Sequence, residues 1–272
     1  MKVAFHSEGT VGARAARLLL GERHLEALGF LSASISPEPD RRVSRVEGLE
    51  GWALLASDTC SEGHRRVQEA LDASVPLVLW TDDPRSLASA RHHAEDFEKL
   101  GLTLLVGSNL RSGIGPALAA HLAGQADEVL EGTLAWTEPG RPLRRGEAVP
   151  FPEPVGPLWA RPGHLPAPSD HQRLLAAPLE GPWAGAMARV SGVVEEGMVV
   201  RTLGVADDER HLQGVALAAG VLTLADGAYP PGLRWPAEAS RAFLDRGLSL
   251  GLEVAAFTER QKAHPVRPQK KP

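Results

Sequence analysis

Short apolar runs alternate with amphipathic segments over the first 106 residues of the chain. The apolar runs predict buried strands, and the helical period between them predicts helices, the first with Val11, Ala15, Leu18 and Leu19 on one face. The predicted strands are residues 3–5, 27–31, 52–56, 75–80 and 102–106. Strands that are apolar on both sides need helices on both faces of their sheet, so the pattern predicts an α/β fold with a doubly wound parallel sheet.

The pattern changes after residue 118, where longer strands with alternating apolar and polar positions predict a second, smaller α+β domain. We expect a first domain over residues 1–118, the second over 119–235, a C-terminal helix and strand over 236–258 that pack back on the first domain, and a tail over 259–272. A Pro-rich passage covers residues 138–182. It predicts extended segments, a flap or a subunit contact, or, at residues 162–168, a poorly ordered loop.

A strand, a turn with two glycines and a helix follow one another at the amino terminus. Gly9 lets the backbone approach a diphosphate, Gly12 lets the helix pack closely on the strand, and the N–H groups at the helix start favour an anion. This order predicts a Rossmann-type dinucleotide site, although Ser7 replaces the first glycine of the G-x-G-x-x-G pattern, so a plain buried turn remains the alternative. The cofactor-binding residues predicted in the turn are Ser7, Glu8, Gly9, Thr10, Val11 and Gly12. Gly12→Val is expected to abolish binding and to leave the fold largely intact.

Polar residues at the ends of the other predicted strands extend this site. Because ligands of doubly wound sheets bind at the carboxyl ends of the strands, we expect Ser57, Asp58, Thr81 and Asn109 around one crevice. Asp58 is predicted to contact the cofactor or to cap the next helix, and the acids before Pro84 are predicted to form a turn and a helix cap.

The second predicted strand bears on the choice of cofactor. It ends at Ser32, with no acid before Glu38 and with Arg41 and Arg42 downstream. Serine and arginine suit the 2′-phosphate of NADP, whereas a carboxylate would suit NAD. The predicted cofactor is therefore NADP or NAD, with a preference for NADP, and the two arginines are otherwise solvated loop charges.

Three passages carry a resemblance to a family of known enzymes. They are Ser-Glu-Gly-Thr-Val-Gly at residues 7–12, Gly-Ser-Asn-Leu-Arg-Ser-Gly-Ile-Gly at 107–115 and Val-Pro-Phe-Pro-Glu-Pro-Val-Gly at 149–156. With these passages the chain resembles the dinucleotide-dependent amino-acid reductases, which include dihydrodipicolinate reductase and the saccharopine-dehydrogenase-like proteins. The resemblance implies a dinucleotide-binding first domain, a helix that opens the substrate domain after residue 115, and hydride transfer to or from a small amino or keto acid.

The catalytic groups of that family have no counterpart in this chain. Dihydrodipicolinate reductase has a His-His segment with a nearby lysine, whereas His92 and His93 precede the fifth strand here, and no lysine lies between Lys99 and Lys262. The resemblance therefore supports the fold and the cofactor site more than the reaction.

Three residues are candidates for catalysis or substrate binding. Arg111 has the geometry to clamp a substrate carboxylate, or it is a solvent-facing loop residue. His164 and His171 lie in the Pro-rich passage and are candidate proton donors if that passage folds over the crevice; a surface histidine is the more common outcome.

Composition and charge limit the remaining function classes. The formal net charge is −5, which gives no general affinity for nucleic acid or for an anionic membrane. The single cysteine, Cys60, excludes an internal disulfide and a cysteine-cluster metal site, and no spacing of His, Asp and Glu predicts a metal. No run approaches the length of a membrane-spanning helix, so the expected compartment is the cytoplasm, and we expect a homo-oligomer such as a dimer.

These observations predict an NAD(P)-dependent oxidoreductase that acts on a small amino acid, keto acid or cyclic imine. The alternative is a dinucleotide-binding protein without catalysis, a sensor or a scaffold that dimerises through the second sheet. Ser7 and the missing proton donor favour the alternative, whereas residues 107–115, with Asn109 and Arg111, favour the enzyme.

Overall fold

A computed structural model of the chain describes residues 1–7, 9–31, 40–59, 62–166, 173–195 and 197–261. Within these residues the chain builds two seven-stranded sheets that are joined by helices. Glu8, Ser32 and His171 lie outside the described residues.

The first sheet is parallel throughout, as the apolar strands predict. Its strands are β1 (Lys2–His6), β2 (Ala27–Phe30), β3 (Val43–Arg45), β4 (Leu54–Ser57), β5 (Leu77–Leu79), β6 (Thr103–Leu105) and β13 (Gly232–Arg234). They lie in the order β13-β6-β5-β4-β1-β2-β3. The order reverses between β1 and β4, which is the switch point where doubly wound sheets bind their ligands. The predicted Rossmann-type fold is confirmed.

The helices follow the predicted periods with one difference. They are α1 (Thr10–Leu19), α2 (Gly63–Asp72), α3 (Pro84–His92), α4 (Ala94–Lys99), α5 (Gly115–Ala123), α6 (Glu209–Ala225) and α7 (Ser240–Ser249). The helix predicted between the fourth and fifth strands is divided into α3 and α4, because the backbone leaves the helical conformation at His93, with φ −98° and ψ 8°. Among the helices of the described residues, none combines the length and the apolar composition needed to cross a membrane.

The second sheet is mixed and belongs to the predicted α+β part. Its strands are β7 (Glu128–Pro139), β8 (Glu147–Pro150), β9 (Pro157–Pro162), β10 (Arg173–Leu179), β11 (Trp183–Val194), β12 (Gly197–Asp208) and β14 (Ala255–Gln261). Their order is β14-β12-β11-β7-β10-β9-β8, and β7 and β10 run parallel. The Pro-rich passage thus supplies the extended strands β8, β9 and β10.

The predicted domain boundaries differ from the observed path of the chain. β13 pairs with β6 in the first sheet, so residues 209–234 return to the first half of the molecule. β14 pairs along its length with β12, so the C-terminal strand joins the second sheet instead of the first domain. Both differences arise from strand pairing between distant residues, which a local pattern does not encode.

Helix α6 connects the two sheets and lies in the middle of the core. Its sequence is apolar on nearly every side, which is the composition of a helix that is covered all round. The helix packs closely on α1 at Gly214, where an added Cβ would lie 2.5 Å from Arg14 Cγ. The Arg14 guanidinium donates a hydrogen bond to His211 Nδ1 at 2.8 Å, which fixes the same crossing.

We predict that Gly214→Val lowers the free energy of unfolding by about 1–3 kcal/mol, because a side chain would be forced into the contact between α1 and α6. Chemical denaturation measures the effect. Gly48→Ala is the control, since a Cβ there meets nothing within 4 Å, and it should be close to neutral. Equal stability of both variants would contradict the assigned contact.

Candidate functional site

The first turn of α1 is capped by a side chain from the neighbouring strand. Gly9 occupies the N-cap position and supplies no side-chain cap. Asp58 follows β4, which lies beside β1, and its Oδ2 accepts hydrogen bonds from Gly12 N–H at 2.6 Å and from the Ser7 hydroxyl at 2.9 Å. The carboxylate of Asp58 therefore lies at the positive end of the α1 dipole.

The close approach of Asp58 and Ser7 to the helix requires a glycine at position 12, but not at position 9. A Cβ on Gly12 would lie 2.2 Å from Ser7 Oγ and 2.9 Å from Asp58 Oδ2, whereas a Cβ on Gly9 would lie 3.6 Å from the same carboxylate oxygen. The structure changes the expectation for Gly12→Val: the substitution disturbs the fold as well as any ligand, because Ser7 is fully buried beside it.

The other predicted cofactor residues are engaged in local hydrogen bonds. Ser57 and Thr59 are buried, and their hydroxyls share a hydrogen bond of 2.8 Å. Thr81 is also buried, and its hydroxyl accepts a hydrogen bond from Asp83 N–H at 3.0 Å. Asn109 accepts from Ser112 N–H at 2.7 Å and donates to the Trp80 carbonyl at 2.8 Å. These residues shape the carboxyl edge of the sheet.

Arg42 forms hydrogen bonds within the protein. Its guanidinium makes two hydrogen bonds to the Asp40 carboxylate, at 2.9 and 3.1 Å, and another to the Leu20 carbonyl at 2.7 Å. The hydrogen bonds from Arg42 lower the pKa of Asp40 to about 2. Arg42 thus ties the segment before β3 to the end of α1, while Arg41 is exposed.

A cavity of about 430 Å³, hereafter the cleft, lies between the carboxyl edge of the first sheet and the second sheet. Its aromatic residues are Trp80, Trp136 and Trp183, and its charged residues are Asp82, Arg111, Glu138, Glu180 and Glu209. Asn109, Thr137 and Gln213 also line it. The cleft is therefore built from both sheets and from the start of α6.

Arg111 lies in the cleft, held by Asp82. The guanidinium contacts Asp82 Oδ2 through Nη2 at 2.7 Å and through Nε at 2.9 Å, and the Ser112 hydroxyl donates to the same oxygen at 2.7 Å. The predicted helix cap is Asp83, whose carboxylate accepts from the N–H groups of Arg85 and Ser86. Asp82 thus orients the arginine that the sequence singled out.

The candidate proton donors are placed differently. His164 is exposed and is not one of the residues that line the cleft, whereas the neighbouring Leu165 is buried. His171 lies outside the described residues. Within the described ranges, no group of three or more His, Cys, Asp and Glu residues is arranged to hold a metal ion.

Several cleft residues were missed by sequence reasoning. Gln213 is an example: its Oε1 accepts hydrogen bonds from Trp80 Nε1 at 2.9 Å and from Leu110 N–H at 3.1 Å. Its position on the polar side of α6 was visible in the sequence. The contact with residues about 100 and 130 positions earlier was not, because it depends on how α6 returns to the first sheet.

No protein-family model and no curated protein matches the chain. Solved structures match it by fold. Dipicolinate-bound dihydrodipicolinate reductase from Paenisporosarcina sp. TG-14 is 14% identical, with a TM-score of 0.53 over 88% of this chain and 98% of that one. The chain shares the fold of this reductase.

Two further structures extend the comparison. The C. glutamicum DAP dehydrogenase in complex with DAP is 12% identical, with a TM-score of 0.56 over 92% of this chain and 98% of that one. Homospermidine synthase from Legionella pneumophila in complex with NAD is 8% identical, with a TM-score of 0.55 over 99% and 95%. The predicted resemblance to dihydrodipicolinate reductase is confirmed at the level of the fold.

We predict that Gly12→Ala destabilises the protein by about 1–3 kcal/mol, because its Cβ would collide with the buried Ser7 and with Asp58. Gly9→Ala is the matched control in the same turn and should change the melting temperature by no more than about 2 °C. Differential scanning calorimetry of both variants measures the difference. A stable Gly12→Ala variant would refute the close packing of the turn.

Proposed function

We propose that the chain is an NAD(P)-dependent oxidoreductase that transfers hydride to or from a small amino acid, keto acid or cyclic imine. The observation that carries the proposal is the position of the cleft. It opens at the carboxyl edge of a doubly wound sheet, where such sheets bind ligands, and it is covered by a second sheet that supplies polar groups. When bound, the nicotinamide supplies or accepts the hydride.

The backbone of the turn before α1 suits the diphosphate of a dinucleotide, whereas one nearby side chain, Asp58, is unfavourable for it. Gly9 and Thr10 are exposed at the first turn, so a diphosphate has access to the helix N-terminus. Asp58 carries a carboxylate at the same place. The cofactor-binding role of the turn therefore requires that the Asp58 side chain move.

The cleft offers groups for both ends of an amino acid. Arg111 keeps guanidinium N–H groups beyond those used by Asp82, and these suit a carboxylate. Glu209 is half-buried at the start of α6, and with Glu180 it suits an ammonium group. The indole rings of Trp80 and Trp183 line the same cleft and add apolar surface to it.

The test is a titration with NADPH and NADH followed by fluorescence, and then a turnover assay. The assay uses keto acids with ammonia and cyclic imines in one direction, and amino acids with the oxidised cofactors in the other. We expect binding of at least one dinucleotide and turnover with at least one substrate of the panel. Binding without turnover across the panel would reject the enzyme.

A second candidate function is a sensor or scaffold that uses the fold without catalysis. The observation that favours it is the Asp58 carboxylate on the first turn of α1, because it occupies the position predicted for the diphosphate. The same titration separates the two candidates. A chain that binds neither dinucleotide at millimolar concentration would be neither the enzyme nor a dinucleotide sensor.

We predict that Arg111→Met raises the KM for a carboxylate substrate about tenfold or more, because one charged hydrogen-bonding partner is lost. Steady-state kinetics with the best substrate of the panel measure the change. Arg65→Met is the control, since Arg65 is an exposed arginine that pairs with Glu62 on α2. An unchanged KM in the Arg111 variant would remove this residue from the substrate site.

A further inference from the structure

The Asp58 side chain takes the place of a ligand at the switch point of the first sheet. It reaches from the end of β4 across to the first turn of α1, and only 8% of the residue is exposed. The 2.6 Å bond to Gly12 N–H is short, as hydrogen bonds to a charged acceptor are. A buried carboxylate that is bonded in this way acts as a bound anion supplied by the chain itself.

Two other helices of the protein are capped by the side chain of the residue directly before them. In α3 the cap is Asp83, the residue directly before the helix, and in α6 it is Asp208, also directly before the helix. In α1 the residue before the helix is Gly9, and the carboxylate comes from a residue 46 positions beyond Gly12. The N-terminus of α1 thus has no capping side chain of its own, and it is covered by Asp58, which follows the neighbouring strand β4.

A dinucleotide diphosphate and the Asp58 carboxylate compete for this position. Both are anions that bind the N–H groups of the first turn, and two negative charges at contact distance repel each other. Asp58 Oδ2 already accepts the hydrogen bond of Gly12 N–H at 2.6 Å, so this N–H group is not open to a second anion. One anion has to leave before the other binds.

We propose that Asp58 is an internal competitor of the dinucleotide diphosphate and that it sets the affinity of the chain for the dinucleotide. The inference rests on the proposed function, because it assumes that a dinucleotide uses the turn before α1. Asp58 stabilises the free protein by capping α1, and it weakens the dinucleotide complex because its carboxylate has to give up Gly12 N–H and Ser7.

The experiment compares Asp58→Ser, Asp58→Asn and the wild type. Asp58→Ser shortens the side chain and uncovers the N-terminus of α1, whereas Asp58→Asn keeps the shape of the side chain and removes its charge. Asp83→Ala is the control, because it removes the capping side chain from α3 without touching the first turn of α1. The measurements are the melting temperature without ligand and the dissociation constants for NADPH and NADH from fluorescence titration.

We expect Asp58→Ser to lower the stability of the free protein and to raise its affinity for a dinucleotide. Asp58→Ser should lower the melting temperature by about 2–6 °C, as the loss of a helix cap does, and should tighten dinucleotide binding about tenfold or more. Asp58→Asn should tighten binding to a smaller extent, since the side chain still covers the turn. Asp83→Ala should lower the melting temperature similarly and leave the dissociation constants unchanged.

Binding by Asp58→Ser that is equal to or weaker than that of the wild type would overturn the inference. If the wild type nevertheless binds a dinucleotide tightly, the inference about Asp58 is rejected and the proposed function is kept. If Asp58→Ser binds a dinucleotide and the wild type does not, and neither turns over the substrate panel, the inference stands and the enzyme is rejected. If no variant binds a dinucleotide at millimolar concentration, both fall together.

Discussion

The hydrogen bond between the Asp58 carboxylate and the Gly12 amide joins the segment after β4 to the first turn of α1, at the switch point of the first sheet. It depends on a glycine at position 12, since any Cβ there would collide with Ser7 or Asp58. It satisfies one N–H group, that of Gly12, which a helix without a local cap leaves open. The same bond places a negative charge where a dinucleotide fold needs positive potential. Under the proposed role of Asp58, stability of the free protein and affinity for a dinucleotide oppose each other at this residue.

The cleft depends on α6, which carries the chain from the second sheet back to the first. Because this helix is apolar on nearly every side, it is buried between the sheets and holds their relative position. Its polar first turns bring Glu209 and Gln213 to the cleft, opposite Arg111 and Asp82. Arginine and acids from separate segments then surround one cavity, which is the arrangement that suits a zwitterionic substrate.

The site could be predicted from the sequence in part. Asn109 and Arg111 were identified because a polar segment that follows a buried strand lies at the carboxyl edge of a parallel sheet. The role of Asn109 could not be predicted, because both ends of its amide are used by the Trp80 carbonyl and the Ser112 N–H group. His164 was a candidate by residue type, and in the structure it is exposed and lies outside the cleft.

The sequence by itself determined the parallel sheet, the helix periods and the glycine turn, because strand hydrophobicity, helical period and backbone freedom are local properties. Only the tertiary structure decided that β13 joins the first sheet and that β14 joins the second, since pairing partners lie far apart in the chain. It also decided that Asp58 covers the turn before α1. The sequence predicted that Asp58 contacts the cofactor or caps the next helix, α2, whereas in the structure its carboxylate accepts from Gly12 N–H in α1, because β1 and β4 lie side by side.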